Sequence, residues 1–201
     1  MSFVVDASGI ENLELIFQQF PQQASAAMSS AINTIANGAA LDEARKEILE
    51  QVAFPVGYLD DGDRLRVSSY ASPDRLEATI TARDRPTSLA RFVTGGSVGN
   101  NAGLTVTVKP GNPDPQTRGF LITLNNQNTA YAIRLRPGEI LHNKRLQNAV
   151  EIKGGLTLLY GPSVDQVFRS VSVDIGEPVA AALVKEFTRL LAVKLGTINN
   201  D

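Results

Sequence analysis

The chain has 201 residues, of which 43% are hydrophobic and 20% charged, with no cysteine and a net charge of −2. This is the composition of a globular protein that can bury a sizeable core, so disorder of the whole chain is excluded. Without cysteine there are no disulfides, zinc–thiolate sites, iron–sulfur clusters or cysteine nucleophiles. No run approaches the roughly 20 apolar residues of a membrane span, and the acidic first residues are unlike a signal peptide.

The small net charge hides an uneven distribution along the chain. Residues 1–63 hold ten acids and two bases, residues 64–145 hold twelve bases and five acids, and residues 146–201 are nearly balanced. Copies of a chain that associate through complementary patches need stretches of opposite charge, and this chain has them. A chance distribution of charge is the simpler interpretation.

Helical periodicity dominates the first quarter of the chain. Apolar residues at helical spacing predict a short helix over 10–19 and a long helix from Pro21 to Val52, with a weak point at Gly38. The apolar stripe of the long helix is rich in alanine, which permits close approach to another surface. That surface is either the chain's own sheet or a neighbouring copy.

After Phe54-Pro55 the pattern changes to the alternation typical of strands. Strands are predicted over 64–70, 75–82, 87–93, 104–109, 119–126, 129–136 and 154–161. The Gly-rich loop 94–103 and the Pro/Gly-rich loop 110–118 lie between them. We expect both loops to be mobile in the free protein and ordered by partners, because their composition offers little burial to offset the entropy of ordering.

Two further helices are predicted after Pro162, the second running from Asp174 to Leu195. The order helices, strands, helices predicts an α+β fold with a mainly antiparallel sheet of about six or seven strands, packed with a long N-terminal and a C-terminal helix. We expect one domain over 1–201, made of a helical part (1–53), a β-rich part (64–161) and C-terminal helices (162–196).

Patterns that carry catalysis or bind cofactors and metals are not found in the sequence. The one histidine, His142, stands beside Lys144 and Arg145, which is a poor setting for a base or a ligand. The acids of LDDGD, Asp60, Asp61 and Asp63, are interrupted by arginines and do not match a calcium-binding loop. TGGSVGNNAG lacks the ending of a phosphate-binding loop. We therefore expect no enzyme, no catalytic residue, no cofactor and no metal.

A binding module for nucleic acid is the alternative from another functional class. In RLRV, IRLR and LARF, arginines alternate with apolar residues, which on strands places the arginines on one face, where they could follow phosphates. With four tyrosines and no tryptophan, platforms for base stacking are scarce. A third hypothesis, a hydrolase, needs paired carboxylates in a pocket, and the sequence does not display them.

The stretch ATITARDRPTSLARF, with the Ala-rich helix before it and the strands and amphipathic helix after it, resembles the minor tail protein Z family of tailed bacteriophages, also described as tail-completion or neck proteins. The resemblance rests on residues 75–92 and on the order of elements. It implies a structural virion protein, made in the host cytoplasm, that forms a homo-oligomeric ring (a hexamer or dodecamer) at the head–tail junction. The implied partners are the portal or connector and the tail-terminator or tail-tube proteins, with transient unspecific contact to viral DNA in the lumen and none to a membrane.

In this interpretation an interface is formed by six residues, Arg83, Arg85, Pro86, Leu89, Arg91 and Phe92. The arginines fix the contact, Pro86 holds the turn, and Leu89 and Phe92 insert into the core. Arginine suits such a place because its planar fork pairs bidentately with carboxylates. The expected partners are acids of residues 42–63 on a neighbouring copy. The simpler alternative is a buried edge strand whose arginines are only solvated.

Overall fold

The computed structural model describes residues 2–6, 13–99, 104–136, 139, 150–152 and 155–196. Apart from the first, Ser2–Asp6, the strands form one run in the chain with helices before and after it, and they pair antiparallel, which confirms the α+β class. The helices, in chain order, are α1 (Leu13–Gln19), α2 (Pro21–Ile35), a π-helical turn (Ala36–Ala40), α3 (Leu41–Gln51), a 3-10 turn (Leu89–Phe92), α4 (Val164–Val171) and α5 (Gly176–Gly196). None of these helices is both long and apolar enough to cross a membrane.

Twelve short strands are present among the described residues. They are β1 (Ser2–Asp6), β2 (Leu65–Ser69), β3 (Glu77–Ala82), β4 (Thr87–Ser88), β5 (Val93–Thr94), β6 (Thr105–Val106), β7 (Asp114–Pro115), β8 (Gly119–Thr123), β9 (Thr129–Arg134), β10 (Val150–Ile152), β11 (Leu156–Leu158) and β12 (Tyr160–Gly161). Strand β7 lies within 110–118, which was predicted to be a loop throughout.

The chain divides into two compact units, both of them discontinuous in sequence. Unit 1 comprises Met1–Glu47, Asp60–Arg83 and Phe168–Asp201, and unit 2 comprises Ile48–Leu59 and Asp84–Val167. The units cut across the three successive parts expected from the sequence, because hairpin β2–β3 belongs with the helices of unit 1. The expectation of a single domain stays a prediction.

Unit 1 contains a three-stranded antiparallel sheet in the order β1-β3-β2 and a helical layer. The alternation of EATITA places Ala78 and Ile80 in the core, and both are fully buried. The Ala-rich stripe of α2 packs chiefly on α5, with smaller contacts to β1 and β3. Small alanine side chains let the two helix backbones approach closely, so the stripe is covered by the chain itself.

The long N-terminal helix predicted from the sequence differs in detail from the observed one. It is divided by the π-helical turn at Ala36–Ala40, which contains Gly38, the predicted weak point. Two asparagines near this turn bind the loop between β2 and β3. Asn33, one turn before it, exchanges two hydrogen bonds with the backbone of Ala71, and Asn37, within it, accepts one from the Tyr70 hydroxyl.

The described residues of unit 2 form three small sheets, so the prediction of one sheet of six or seven strands is wrong. A four-stranded sheet has the order β10-β11-β9-β8, a two-stranded sheet joins β12 and β4, and a three-stranded sheet has the order β5-β6-β7. Several of these strands pair over only two residues. Gly95, which has a positive φ, follows directly after β5, and Gly111, also with a positive φ, lies in the connection between β6 and β7.

Helix α4 begins with a capping box that the sequence signals as SVDQ. The Ser163 hydroxyl accepts a hydrogen bond from the Gln166 backbone N–H at 3.0 Å, and the Gln166 side chain accepts one from the Ser163 N–H at 2.9 Å. Two backbone donors at the helix start are thereby satisfied. Helices α4 and α5 confirm the two C-terminal helices expected from periodicity.

Candidate interaction surface

The six residues predicted to form an interface are divided between the two units. Arg83 is the last residue of one segment of unit 1, and the other five belong to unit 2. Arg83 is half-buried, and its backbone N–H donates to the Arg64 carbonyl at 2.9 Å. This bond prolongs the ladder between β2 and β3, so the backbone of Arg83 is part of the sheet.

The backbone of residues 85–92, which we call the anchored segment, is held by hydrogen bonds to distant parts of unit 2. Strand β4 pairs with β12, with Ser88 opposite Tyr160. The Leu89 N–H donates to the Leu159 carbonyl at 3.1 Å, and the Phe92 carbonyl accepts from the Thr107 N–H at 2.8 Å. A segment fixed on two sides in this way presents its outward side chains from a rigid base.

Aromatic packing holds the C-terminal end of the anchored segment. Phe92 is 3% exposed, and its ring lies 5.5 Å from that of Phe54, which in turn stacks on Tyr58 at 5.2 Å. A side chain at Gly161 would place a Cβ 2.8 Å from the Phe92 ring, so glycine is required where this ring crosses β12. The expected insertion of Phe92 into the core is confirmed.

The N-terminal end of the segment is held by a buried polar contact. Thr87 is 1% exposed, and its hydroxyl lies 3.1 Å from the hydroxyl of Tyr58. Pro86 and Leu89 are half-buried on either side of it. Leu89 therefore covers the core of unit 2 at its margin, which is less than the full insertion expected.

Arg85 and Arg91 are the two side chains of the anchored segment that are exposed and cationic. The structure gives neither of them an ion pair with any carboxylate among the described residues. Two guanidinium groups on a rigid base, with their donors directed to solvent, can bind carboxylates or phosphates of another molecule at little entropic cost.

Of the acids of residues 42–63, expected to serve as partners of these arginines on a neighbouring copy, all but Glu50 are engaged within unit 1. Arg45 bridges Asp42 at 2.9 Å and Asp60 at 2.7 Å. Further pairs join Arg64 to Asp61, Arg66 to Asp63, and Lys46 to Glu43 and Glu47. These carboxylates are thereby neutralised locally, and a second arginine would share them.

The three aspartates of LDDGD each form an ion pair with an arginine. Asp60 pairs with Arg45, Asp61 with Arg64 and Asp63 with Arg66. Within the described residues, no cluster of three or more acidic or histidine side chains could hold a metal ion. His142, and residues 100–103 of the Gly-rich loop, lie outside the described residues.

Two features of unit 2 were missed in the sequence. Arg118 grips Glu139 with both guanidinium nitrogens at 2.6 and 2.8 Å and also donates to the Arg134 carbonyl. The arginine and the Arg136 N–H lower the pKa of Glu139 to about 2, because both stabilise its charged form. The residues are 21 apart, so no local spacing rule could have found the pair.

The second feature is the contact of Tyr131 with Gly119 across β8 and β9. A Cβ at Gly119 would fall 1.6 Å from the Tyr131 hydroxyl oxygen, so the ring covers a glycine on the edge strand β8. The hydroxyl donates to the Gln116 side chain at 3.0 Å. Burial first, and then the charge of Asp114, raise the pKa of Tyr131 to about 12. A Gly before an alternating strand, GFLIT, is the one sequence signal of this contact.

Comparison with protein-family models, with curated proteins and with solved structures finds no match to this chain.

Proposed function

We propose that this chain is a structural virion protein of a tailed bacteriophage, a ring-forming tail-completion or neck subunit at the head–tail junction. It joins the portal or connector to the tail and lets DNA pass through its lumen. The observation that supports this proposal is the anchored segment, with Arg85 and Arg91 exposed on a rigid base. A subunit that must meet neighbours in one fixed geometry needs contact groups of this kind.

The charge of the two units also favours contacts between copies. Unit 1 carries fifteen acidic and ten basic residues, a balance of −5, whereas unit 2 carries six acidic and nine basic residues, a balance of +3. A ring is made by a heterologous contact, in which one surface of a copy meets a different surface of the next. Opposite balances in the two units suit a contact of unit 2 with unit 1 of a neighbouring copy.

The test is charge reversal at the anchored segment, with Arg85→Glu and Arg91→Glu combined. We expect the ring seen by native mass spectrometry to dissociate and virion assembly to fail, while the subunit stays folded. Loss of an exposed ion pair costs about 0–1 kcal/mol, and loss of one partner of a buried ion pair costs about 3–5 kcal/mol. The loss of association free energy in the variant therefore indicates whether the arginines are buried at the contact between copies. Lys109→Glu with Lys185→Glu, which makes the same change in charge at exposed positions elsewhere, is the control.

Normal rings and infectious particles in the arginine double variant would exclude the anchored segment from the contact. A chain that never forms a closed assembly, with or without tail extracts, refutes the proposed function itself. Nucleic-acid binding is the alternative favoured by the basic balance of unit 2, and it predicts an affinity for DNA that falls steeply with salt. Among the described residues of unit 2, no large aromatic side chain is exposed for base stacking, which weighs against that alternative.

A further inference from the structure

The three-stranded sheet of unit 1 has two edges, and the two are protected very differently. At one edge, β2 carries Arg66, which is paired with Asp63, and its register shifts between Val67 and Ser69. Charges and bulges of this kind keep an edge from pairing with other strands. The other edge, β1, has no further strand beside it among the residues that the structure describes.

Strand β1 lacks most of the usual protective features, although it is short and ends in Asp6. Its sequence, SFVVD, contains no lysine, arginine or proline, and it pairs with β3 in an unbroken register from Ser2↔Thr81 to Asp6↔Glu77. Val5, on one face of the strand, is buried at 2% exposed, whereas Val4, on the other face, is 41% exposed. A regular, largely apolar edge strand is a template for adding another strand.

We propose that β1 pairs with β1 of a second copy, antiparallel and about a two-fold axis at Val4, to form a continuous six-stranded sheet across two subunits. The partner is argued from register. Along an edge strand, every second residue directs its backbone N–H and C=O groups away from the sheet. In an antiparallel pair, such a residue must lie opposite a residue of the new strand whose backbone groups also point across the gap. Two copies of β1 therefore match only in registers centred on a residue.

Of those registers, the one centred on Val4 pairs all five residues of the strand. Phe3 then lies opposite Val5 of the second copy, so the apolar faces of the two sheets lie on the same side. Centres at Phe3 or Val5 pair only three residues. The two-fold register thus places the largest number of backbone hydrogen bonds along the open edge.

Charge supports the same partner and the same register. Asp6 is the one charged residue of β1, and the pairing places it opposite Ser2 of the second copy, whose hydroxyl can donate to a carboxylate. A parallel arrangement would instead place the two Asp6 carboxylates side by side, which is unfavourable. On the outer face, Val4 covers Val4 of the other copy and removes an exposed apolar side chain from water.

The decisive experiment uses the self-contact at residue 4. Val4→Lys and Val4→Glu each place like charges directly opposite in a pair of identical copies, so each variant should associate more weakly, by on the order of tenfold in Kd. An equimolar mixture places Lys opposite Glu and should restore association. Sedimentation velocity measures all three samples against the wild-type chain, and Val193→Lys, at another exposed valine, is the control.

A second experiment uses the absence of cysteine from the chain. Paired residues on antiparallel strands have Cα atoms about 4.5–5.5 Å apart, which is within the range of a disulfide. Val4→Cys should therefore form a cross-linked dimer rapidly under mild oxidation. Ser68→Cys, exposed on β2, should cross-link only at the rate of random collision.

Equal cross-linking of the two cysteine variants overturns the proposal, as does a mixture that associates no better than its components. A wild-type chain that stays monomeric at high concentration overturns it too. The proposal does not rest on the ring at the head–tail junction: the arginine variants test the ring, and the residue 4 variants leave Arg85 and Arg91 unchanged. Thermal unfolding of Val4→Lys confirms that the subunit is folded, since Val4 lies on the outer face of the sheet.

Discussion

The contact of Asn33 with Ala71 joins helix α2 to the loop that follows β2, and we predict that it is a main stabilising contact of unit 1. The Asn33 side-chain nitrogen donates to the Ala71 carbonyl at 3.0 Å, and the side-chain oxygen accepts from the Ala71 N–H at 2.8 Å. Ala71 is 9% exposed, so water replaces these bonds poorly. Asn33→Ala removes both bonds and leaves two backbone groups with little access to solvent.

The expected loss of stability follows from these contacts. A hydrogen bond contributes about 1 kcal/mol net, and a buried group left without a partner costs about 1–3 kcal/mol. Alanine has a higher helix propensity than asparagine, which offsets about 0.5 kcal/mol. Because Asn33 itself is only half-buried, we expect Asn33→Ala to lower the free energy of unfolding by about 1–3 kcal/mol.

Chemical denaturation followed by circular dichroism measures this change. Thr34→Ala, at the adjacent exposed position of α2, makes a similar gain in helix propensity without touching the hairpin and is the control. Asn33→Asp keeps the acceptor but directs a carboxylate oxygen at the Ala71 carbonyl, which raises the pKa of that carboxyl in the folded state. Its deficit in stability should therefore shrink as the pH falls through this raised pKa, because the protonated carboxyl can donate, and should be smallest below the ordinary Asp pKa of about 4.

A difference below about 0.5 kcal/mol between Asn33→Ala and Thr34→Ala would refute this reasoning, because it would mean that water satisfies Ala71 as well as the side chain does. A deficit of Asn33→Asp that does not depend on pH would show that the donor half of the contact contributes nothing.

Two further predictions concern unit 2. Gly119→Ala should lower the free energy of unfolding by about 1–3 kcal/mol, the usual range of an overpacking change, because its Cβ overlaps the Tyr131 ring. Gly38→Ala, with no atom within 4 Å of the added Cβ, should be tolerated, so denaturation curves of the two variants that coincide would contradict the first statement. The Glu139 carboxyl has a folded pKa of about 2, below its ordinary 4.5, so its stabilising contribution is present above pH 4.5 and is lost as the pH falls towards 2. Arg118→Ala should return the pKa of Glu139 towards the ordinary range in an NMR titration, and an unchanged value would show that the arginine is not the cause.

Helices were the part of this fold that the sequence predicted well. The apolar stripe of α2 and α3, the break near Gly38, and the ends of α5 are local features, because the hydrogen bonds of a helix join residues four apart. The π turn was not predicted, and Asn33 and Asn37 at this place bind residues 33 to 38 positions away, which a local pattern does not reveal.

Strand positions were also largely predicted by alternation, but the pairing of strands that lie far apart in the chain was not. Strand β4 pairs with β12, more than 70 residues away, and the edge strand β1 was not predicted at all. Alternation shows which residues face a core; it carries no information on which strand lies alongside, and a two-residue strand such as β7 has no periodicity to detect.

For the candidate interaction surface, the sequence by itself determined that arginines stand among apolar residues in 83–92, and that Phe92 belongs to a core. Only the tertiary structure decided which arginines are free to meet a partner. Arg85 and Arg91 are exposed, and the backbone of Arg83 extends a sheet. Most of the acids of residues 42–63 already bind Arg45, Lys46, Arg64 or Arg66. Exposure and ion pairing depend on residues that are distant in the chain and adjacent in space, and composition and spacing do not contain that information.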